Sequence, residues 1–485
     1  MRILRAGCAA AAGLAILAGL GGAAAAPTPD SAATVVVDTS QPGGRLPSDF
    51  VGLSFEVREL GIGNIDARRG NLAQFFRTLG RSNVRFSGNT LDRDAIWLGD
   101  GQQLPDPLPE WVQHIITPAD IERLDDFLAA TGWDTAVGIN LGRWDAERAA
   151  DQAAVMSRVL GRRLLAAECG NEPDQWVSRG YRPAGYAYAD YRRDWQMCAG
   201  AVGRMPLAGP DAASPTSAWA ANLARDEGDR LKMIMIHQYS MDPTGTMERL
   251  LSPATNAGQA GAATPNLTVA KQLGKPIRID ETNSAWGGGI DGVSNRHGSA
   301  LWALDYALQM GQLGLDGINF HGGLGVCNQP IWNGRWQLYT PMCASSKAEE
   351  LAQVYRAMPI FYGLWMARQM GPGTFLPVTV TTDRNVNAYA VRGDDGRTRI
   401  AVIQKEETTT GPVSVAISVG GRDRTARVLT MTGSGLTADD TAVQGARVGT
   451  DGRLAPAAAD RRPVRGGTVH IELAAGSAAL ITLDR

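Results

Sequence analysis

Two glutamates, Glu172 and Glu281, each follow a short apolar run. Residues 164–167 lead into Gly170-Asn171-Glu172-Pro173, and residues 276–279 lead into Asp280-Glu281-Thr282-Asn283. An apolar run that ends in a carboxylate and then Gly, Asn or Pro reads as a buried parallel strand delivering an acid to its C-terminal rim. Two acids presented this way suit cleavage of a glycosidic bond. That reaction needs a proton donor for the leaving oxygen and an anion beneath the anomeric carbon. With both in one cleft, burial and mutual repulsion are expected to raise one pKa and keep that residue protonated.

The elements that must position this pair form an alternating pattern. Strand-like segments fall at residues 51–56, 83–87, 135–141, 164–169, 207–210, 233–239, 276–280 and 317–321, with helical periodicity between them. One helix opens at Thr117-Pro118, carries Ile121, Leu124 and Leu128 on one stripe and closes at Gly132; Leu301, Leu304 and Leu308 repeat the stripe later. Eight alternations predict an α/β fold, a (β/α)8 TIM barrel, with Glu172 after strand four and Glu281 after strand seven, on opposite sides of the mouth. After Gly371-Pro372-Gly373 the pattern changes to short alternating strands separated by Gly, Asp and Thr, as in an all-β, antiparallel β-sandwich. The early segment from Ala33 to Asp38 also reads as a strand and is expected to join that sandwich. The expected division is a signal peptide over 1–26, an N-terminal strand over 27–44, a catalytic barrel over 45–368 and a sandwich over 369–485.

The signal peptide reading rests on Arg2 and Arg5, an apolar stretch from Ala9 to Leu20 and the run Ala23-Ala24-Ala25-Ala26 before Pro27, and it predicts a secreted or periplasmic protein. The 485 residues, 44% hydrophobic and 20% charged, fit a soluble globular chain with a large core. The net charge of −2, which becomes −4 without Arg2 and Arg5, gives no sign of a nucleic-acid or membrane partner, so recognition of an acidic substrate must be local. Export permits disulfides among the four later cysteines. Cys327 and Cys343 fit a staple across one loop. Cys169 and Cys198 read either as a disulfide or as two buried thiols. No close-spaced Cys or His pair has zinc-ligand spacing, so no metal and no cofactor are expected.

Several motifs agree in order with one family. Val51-Gly-Leu-Ser-Phe-Glu56, Arg85-Phe-Ser-Gly-Asn89, Cys169-Gly-Asn-Glu-Pro173, His237-Gln-Tyr239 and the stretch from Glu281 to Gly289 resemble glycoside hydrolase family 79 of clan A, the heparanase and β-glucuronidase family. The resemblance covers nearly the whole mature chain. It implies Glu172 as acid/base, Glu281 as nucleophile, Asn171 on the sugar 2-hydroxyl and Tyr239 donating to the nucleophile. It further implies sugar contacts at Glu56 and Asn89, and uronate capture by backbone N–H groups at Gly322 and Gly323 together with Tyr339. Trp286 stands where heparanases have Tyr, and offers a stacking face. Arg85 reads equally as part of this machinery or as a buried structural cation. His237 and His321 are expected to be ring donors behind the sugar-contacting residues.

The expectation is therefore a monomeric, retaining β-glucuronidase of heparanase type. It would act on heparan sulfate-like glycosaminoglycans or glucuronide-terminated glycans. The rivals are another clan A activity on neutral pentosides and a non-catalytic glycan-binding protein. A cutter of sulfated chains should line its cleft with cations, for which Arg143, Arg179, Arg182 and Arg296 are candidates.

Overall fold

The computed structural model describes residues 32–332, 335–420 and 425–484; the expected signal peptide lies outside them. Eight parallel strands close into a barrel: β1 (Val51–Glu56), β2 (Asn83–Ser87), β3 (Asp134–Ile139), β4 (Leu164–Cys169), β5 (Leu207–Ala212), β6 (Leu231–Met241), β7 (Ile277–Ala285) and β8 (Gly317–Gly322). β8 pairs with β1 to seal the ring. The helix Pro118–Thr131 forms where its end signals place it. The Thr117 backbone N–H and hydroxyl donate to Asp120 at 2.8 and 2.9 Å, and Gly132 closes the last turn in the left-handed region at φ 75°.

The second domain is a mixed sheet of twelve strands that curls over its own apolar core, which includes Val35, Ile400, Val402, Val415, Ile417 and Ile481. One strand, Asp460–Arg465, pairs with both layers and joins them. The early strand Ala32–Val37 lies between Val378–Thr381, antiparallel, and Val413–Ser418, parallel. The neighbouring pair Arg45–Leu46 also belongs to this sheet, on Gly373–Leu376. The chain thus begins in the β domain, builds the barrel and returns. Among the described residues no helix is long and apolar enough to cross a membrane.

The domains meet on the helix His297–Leu313, which is buried on nearly every face, as an apolar helix sandwiched between barrel and sheet must be. Its one interior acid, Asp305, accepts from Lys405 (2.7 Å), the Tyr389 hydroxyl (2.7 Å), Asn387 (2.9 Å) and Asn256 (3.0 Å). His297, at the start of the helix, meets the Thr441 hydroxyl and the Gly476 carbonyl. Both disulfides form: Cys169 on β4 turns to the helix layer and bonds Cys198, and Cys327 bonds Cys343.

Removing one partner of a buried pair leaves the other unpaired, so Asp305→Ala should lower stability by about 3–5 kcal/mol in urea unfolding. Adding Lys405→Met should recover part of that loss. A change below about 1 kcal/mol would mean that this contact does not hold the domains together.

Candidate active site

The cleft at the C-terminal mouth of the barrel has a volume of about 930 Å³ and is lined by residues that include Glu56, Asn89, Glu172, Tyr239, Glu281, Trp286 and Tyr339. Its floor is organised by Arg85, a β2 side chain only 1% exposed. The guanidinium donates to Glu168 (2.8 Å), Glu281 (2.8 Å) and Asn171 Oδ1 (2.8 Å), and lies 2.7 Å from Asp280. Strict alternation would send Asp280 and Glu281 to opposite faces of β7. Instead a bulge opposite Ile236–His237 adds Asp280 as an extra residue, and both carboxylates reach the same guanidinium. A second bulge, on the other side of β6, adds Asp211, whose φ is 56°. β7 runs on to Ala285, so Glu281 sits inside the strand rather than after it.

Glu172 lies beyond β4 with φ 48° and ψ 56°, a left-handed conformation that is costly for a residue with a side chain and that recurs at functional sites. Its Oε1 is 2.9 Å from His237 Nδ1 and its Oε2 is paired with Arg179. Glu281 Oε1 accepts from the Tyr239 hydroxyl at 2.8 Å. One carboxylate oxygen of each glutamate and one nitrogen of His237 all lie within 4.8 Å of one another.

Burial alone would raise the pKa of Glu281, but His321, His237 and Arg85 outweigh it and hold the carboxyl at about 2. Burial likewise opposes ionisation of Glu172, and Arg179 and His237 pull it below its ordinary value. The expected division, with one carboxyl raised by its neighbour, is therefore not what this resting site shows. The cations around the pair offset their mutual repulsion. Protons reside deeper. His237, which burial alone would make less basic, is raised to about 10 by Glu281, Asp280 and Glu172. Burial also pushes Glu168 and Asp211 up.

The other expected contacts divide. Glu56 accepts from the Thr90 N–H (2.7 Å) and hydroxyl (2.8 Å). Burial would raise it, but His321 and Thr90 bring it to about 2. Gly88, at φ 75°, passes so close that a Cβ there would lie 2.5 Å from the Glu56 carboxylate. Asn89 lines the cleft, and its buried Oδ1 has no protein partner. Asn171 Nδ2 is also buried without an acceptor. The Tyr239 and Tyr339 rings stand 6.1 Å apart, and Trp286 is exposed at the rim. Gly322 and Gly323 lie outside the lining. The Gly323 N–H is directed to Thr340 Oγ1 (3.2 Å), and a Cβ on Gly323 would collide with Gln337 at 1.4 Å. In their place Gly287, Gly288 and Gln337 line the cleft.

Of the rim arginines, Arg143 and Arg179 line the cleft, whereas Arg182 is tied to Asp194 and to backbone carbonyls, and Arg296 faces Asp291 and Asp439. Sequence reasoning missed Arg58, Arg93 and Tyr181 in the lining. Arg93 was signalled by its position four residues after Asn89, on the same face of the short helix Asn89–Asp94.

Residues 388–480 match the Glycosyl hydrolase family 79 C-terminal beta domain. Over that stretch the chain is similar to family 79. Over 240 residues this chain is 26% identical to a β-glucuronidase of Aspergillus niger, a match that covers 42% of this chain and 44% of that protein. In fold it is similar to a 4-O-α-L-rhamnosyl-β-D-glucuronidase of Fusarium oxysporum 12S, solved as a Rha-GlcA complex, with TM-score 0.75 and 20% identity over 93% of this chain and 100% of that chain. It is also similar to a GH51 arabinofuranosidase of Xanthomonas axonopodis pv. citri, with TM-score 0.69 and 16% identity over 94% of this chain and 100% of that one. These two likenesses speak to the fold.

A histidine raised from 6.5 to about 10 contributes stability in full below pH 6.5 and loses it as pH rises through about 10. The Tm of the wild-type protein should therefore fall more steeply between pH 7 and 10 than that of His237→Gln. Equal slopes would place the proton elsewhere.

Proposed function

We propose that the protein is a retaining β-glucuronidase that hydrolyses β-glucuronosyl linkages in acidic glycans, including glycosaminoglycans of the heparan sulfate type, after export from the cell. The observation that carries this reading is the approach of the Glu172 and Glu281 carboxylates to within 4.8 Å across the cleft. Retaining enzymes need a gap of about 5–5.5 Å, whereas inverting enzymes leave room for a water between wider-spaced acids. The β-glucuronidase similarity supports the sugar. The arginines Arg58, Arg93, Arg143 and Arg179 in the lining favour an anionic substrate over neutral pentosides. The two disulfides accord with an oxidising compartment.

In the first step the Glu281 carboxylate attacks the anomeric carbon. The C1–O bond breaks, and Glu172 gives its proton to the departing oxygen. In the second step Glu172 takes a proton from water, the water oxygen bonds C1, and Glu281 leaves as a carboxylate. The configuration at C1 is thereby retained. Tyr239 and Arg85, each 2.8 Å from a Glu281 oxygen, keep the nucleophile ionised and fixed in orientation. The unpartnered Asn171 Nδ2 is the donor available to the sugar 2-hydroxyl.

The test is hydrolysis of 4-nitrophenyl β-glucuronide followed by NMR of the first-formed anomer. The β-anomer should appear first. Glu281→Gln should abolish turnover, and Glu172→Gln should lose ~10²–10⁴-fold on unactivated glycosides but less on the nitrophenyl substrate. Initial release of the α-anomer, or turnover of aryl arabinofuranosides with none of glucuronides, would overturn the reading.

A further inference from the structure

Glu172 offers Oε1 to His237, which leaves Oε2 as the oxygen able to carry a proton to a leaving group. Arg179 occupies that oxygen. A carboxylate held by a guanidinium does not hold a proton, so the resting arrangement withholds the acid. Arg179 itself is open to the cleft: its side chain is 27% exposed and lines it. Beside it in the same lining stands Tyr181, whose ring faces the Arg143 guanidinium at 5.4 Å. Arg143 also lies over Trp111 at 5.6 Å and, among the described residues, has no carboxylate within ion-pair distance. Arg93 lines the same cleft. An aromatic face rimmed by guanidinium groups suits a sugar ring that bears a negative charge.

We propose that Tyr181, Arg143 and Arg179 form a binding site for a carboxylate or sulfate on the sugar that leaves with the glycosidic oxygen, and that its occupation draws Arg179 away from Glu172. This rests on the assignment of Glu172 as the acid/base. Once Arg179 turns to the bound anion, Glu172 is faced by His237 from β6, Glu281 from β7 and Asp174 on its own loop. Its Oε2 then takes up a proton from solvent. An acidic leaving sugar thus arms the enzyme, and a neutral one leaves the acid disarmed. Arg143 anchors the anion, and Arg179 reports its arrival to the reacting atoms.

The experiment compares two β-glucuronosyl disaccharides that differ only in a 6-O-sulfate on the second sugar. The wild type should turn over the sulfated one with a kcat higher by about tenfold, a fraction of what general-acid catalysis contributes. Arg179→Gln should raise kcat on the neutral disaccharide, bring the ratio toward one and move the alkaline limb of the kcat profile to higher pH. Arg143→Gln should raise KM for the sulfated disaccharide several-fold and lower the kcat ratio only in part. Arg179→Lys and Arg143→Lys, matched to wild type by Tm, serve as folded controls. A ratio unchanged in both Gln variants, or a wild-type preference for the neutral disaccharide, would overturn the proposal while dependence on Glu172 and Glu281 persisted. Full activity of Glu172→Gln on both disaccharides would instead overturn the acid/base assignment beneath it.

Discussion

The buried guanidinium of Arg85 is the constraint on which the site depends. Bringing a charge to the floor of a closed barrel costs several kcal/mol, and the cost is offset only by close partners in good geometry. Arg85 finds Glu168 on β4, Asp280 and Glu281 on β7, and Asn171 on the loop that also carries Glu172. The same contacts that make the cation tolerable fix Glu281, the proposed nucleophile, and position the loop of Glu172, the proposed acid/base. The bulges at Asp280 and Asp211 follow from this requirement, since each adds one inward acid that regular alternation would have pointed outward.

The electrostatics then explain why the free site is ready for attack but not for protonation. Glu281 and Glu56 are held at about 2, so the proposed nucleophile and its neighbour in the cleft are ionised at neutral pH. His237, raised to about 10 by the carboxylates around it, lies 2.9 Å from Glu172 and 3.9 Å from Glu281. The cation on Glu172 means that the acid's ionisation depends on what occupies the cleft. Under the proposed function, such a site would gain specificity by making its own proton donor conditional on the substrate.

Much of the fold was legible because it rests on local rules. Thr117, Pro118 and Gly132 punctuate their helix, the apolar runs give eight strands, and the alternation of Thr34 to Val37 marks a strand that joins the distant sheet. That Glu172 and Glu281 share one cleft was legible because side chains toward the C-terminal ends of barrel strands face its mouth. What escaped depends on register and on charge balance. The inward turn of Asp280 arises from one extra residue in a ladder, which periodicity does not reveal. Gly322 and Gly323 looked like anion-binding backbone, but the Gln337–Pro341 segment packs over them, and only the folded loop shows it. Arg85 could be read two ways until its partners on other strands were in place. That both glutamates are held below their ordinary value turned on Arg179 and His237 at Glu172 and on His321, His237 and Arg85 at Glu281, whose approach no spacing encodes.

The most direct test of the account is trapping with 2-deoxy-2-fluoro-β-D-glucuronyl fluoride, which slows release of a glycosyl-enzyme intermediate. The intact mass should rise by one fluoroglucuronosyl group, and peptide mapping should place it on Glu281. A label on another residue, or steady turnover of glucuronides with no covalent species under any condition, would contradict the central claim that Glu281 attacks the anomeric carbon.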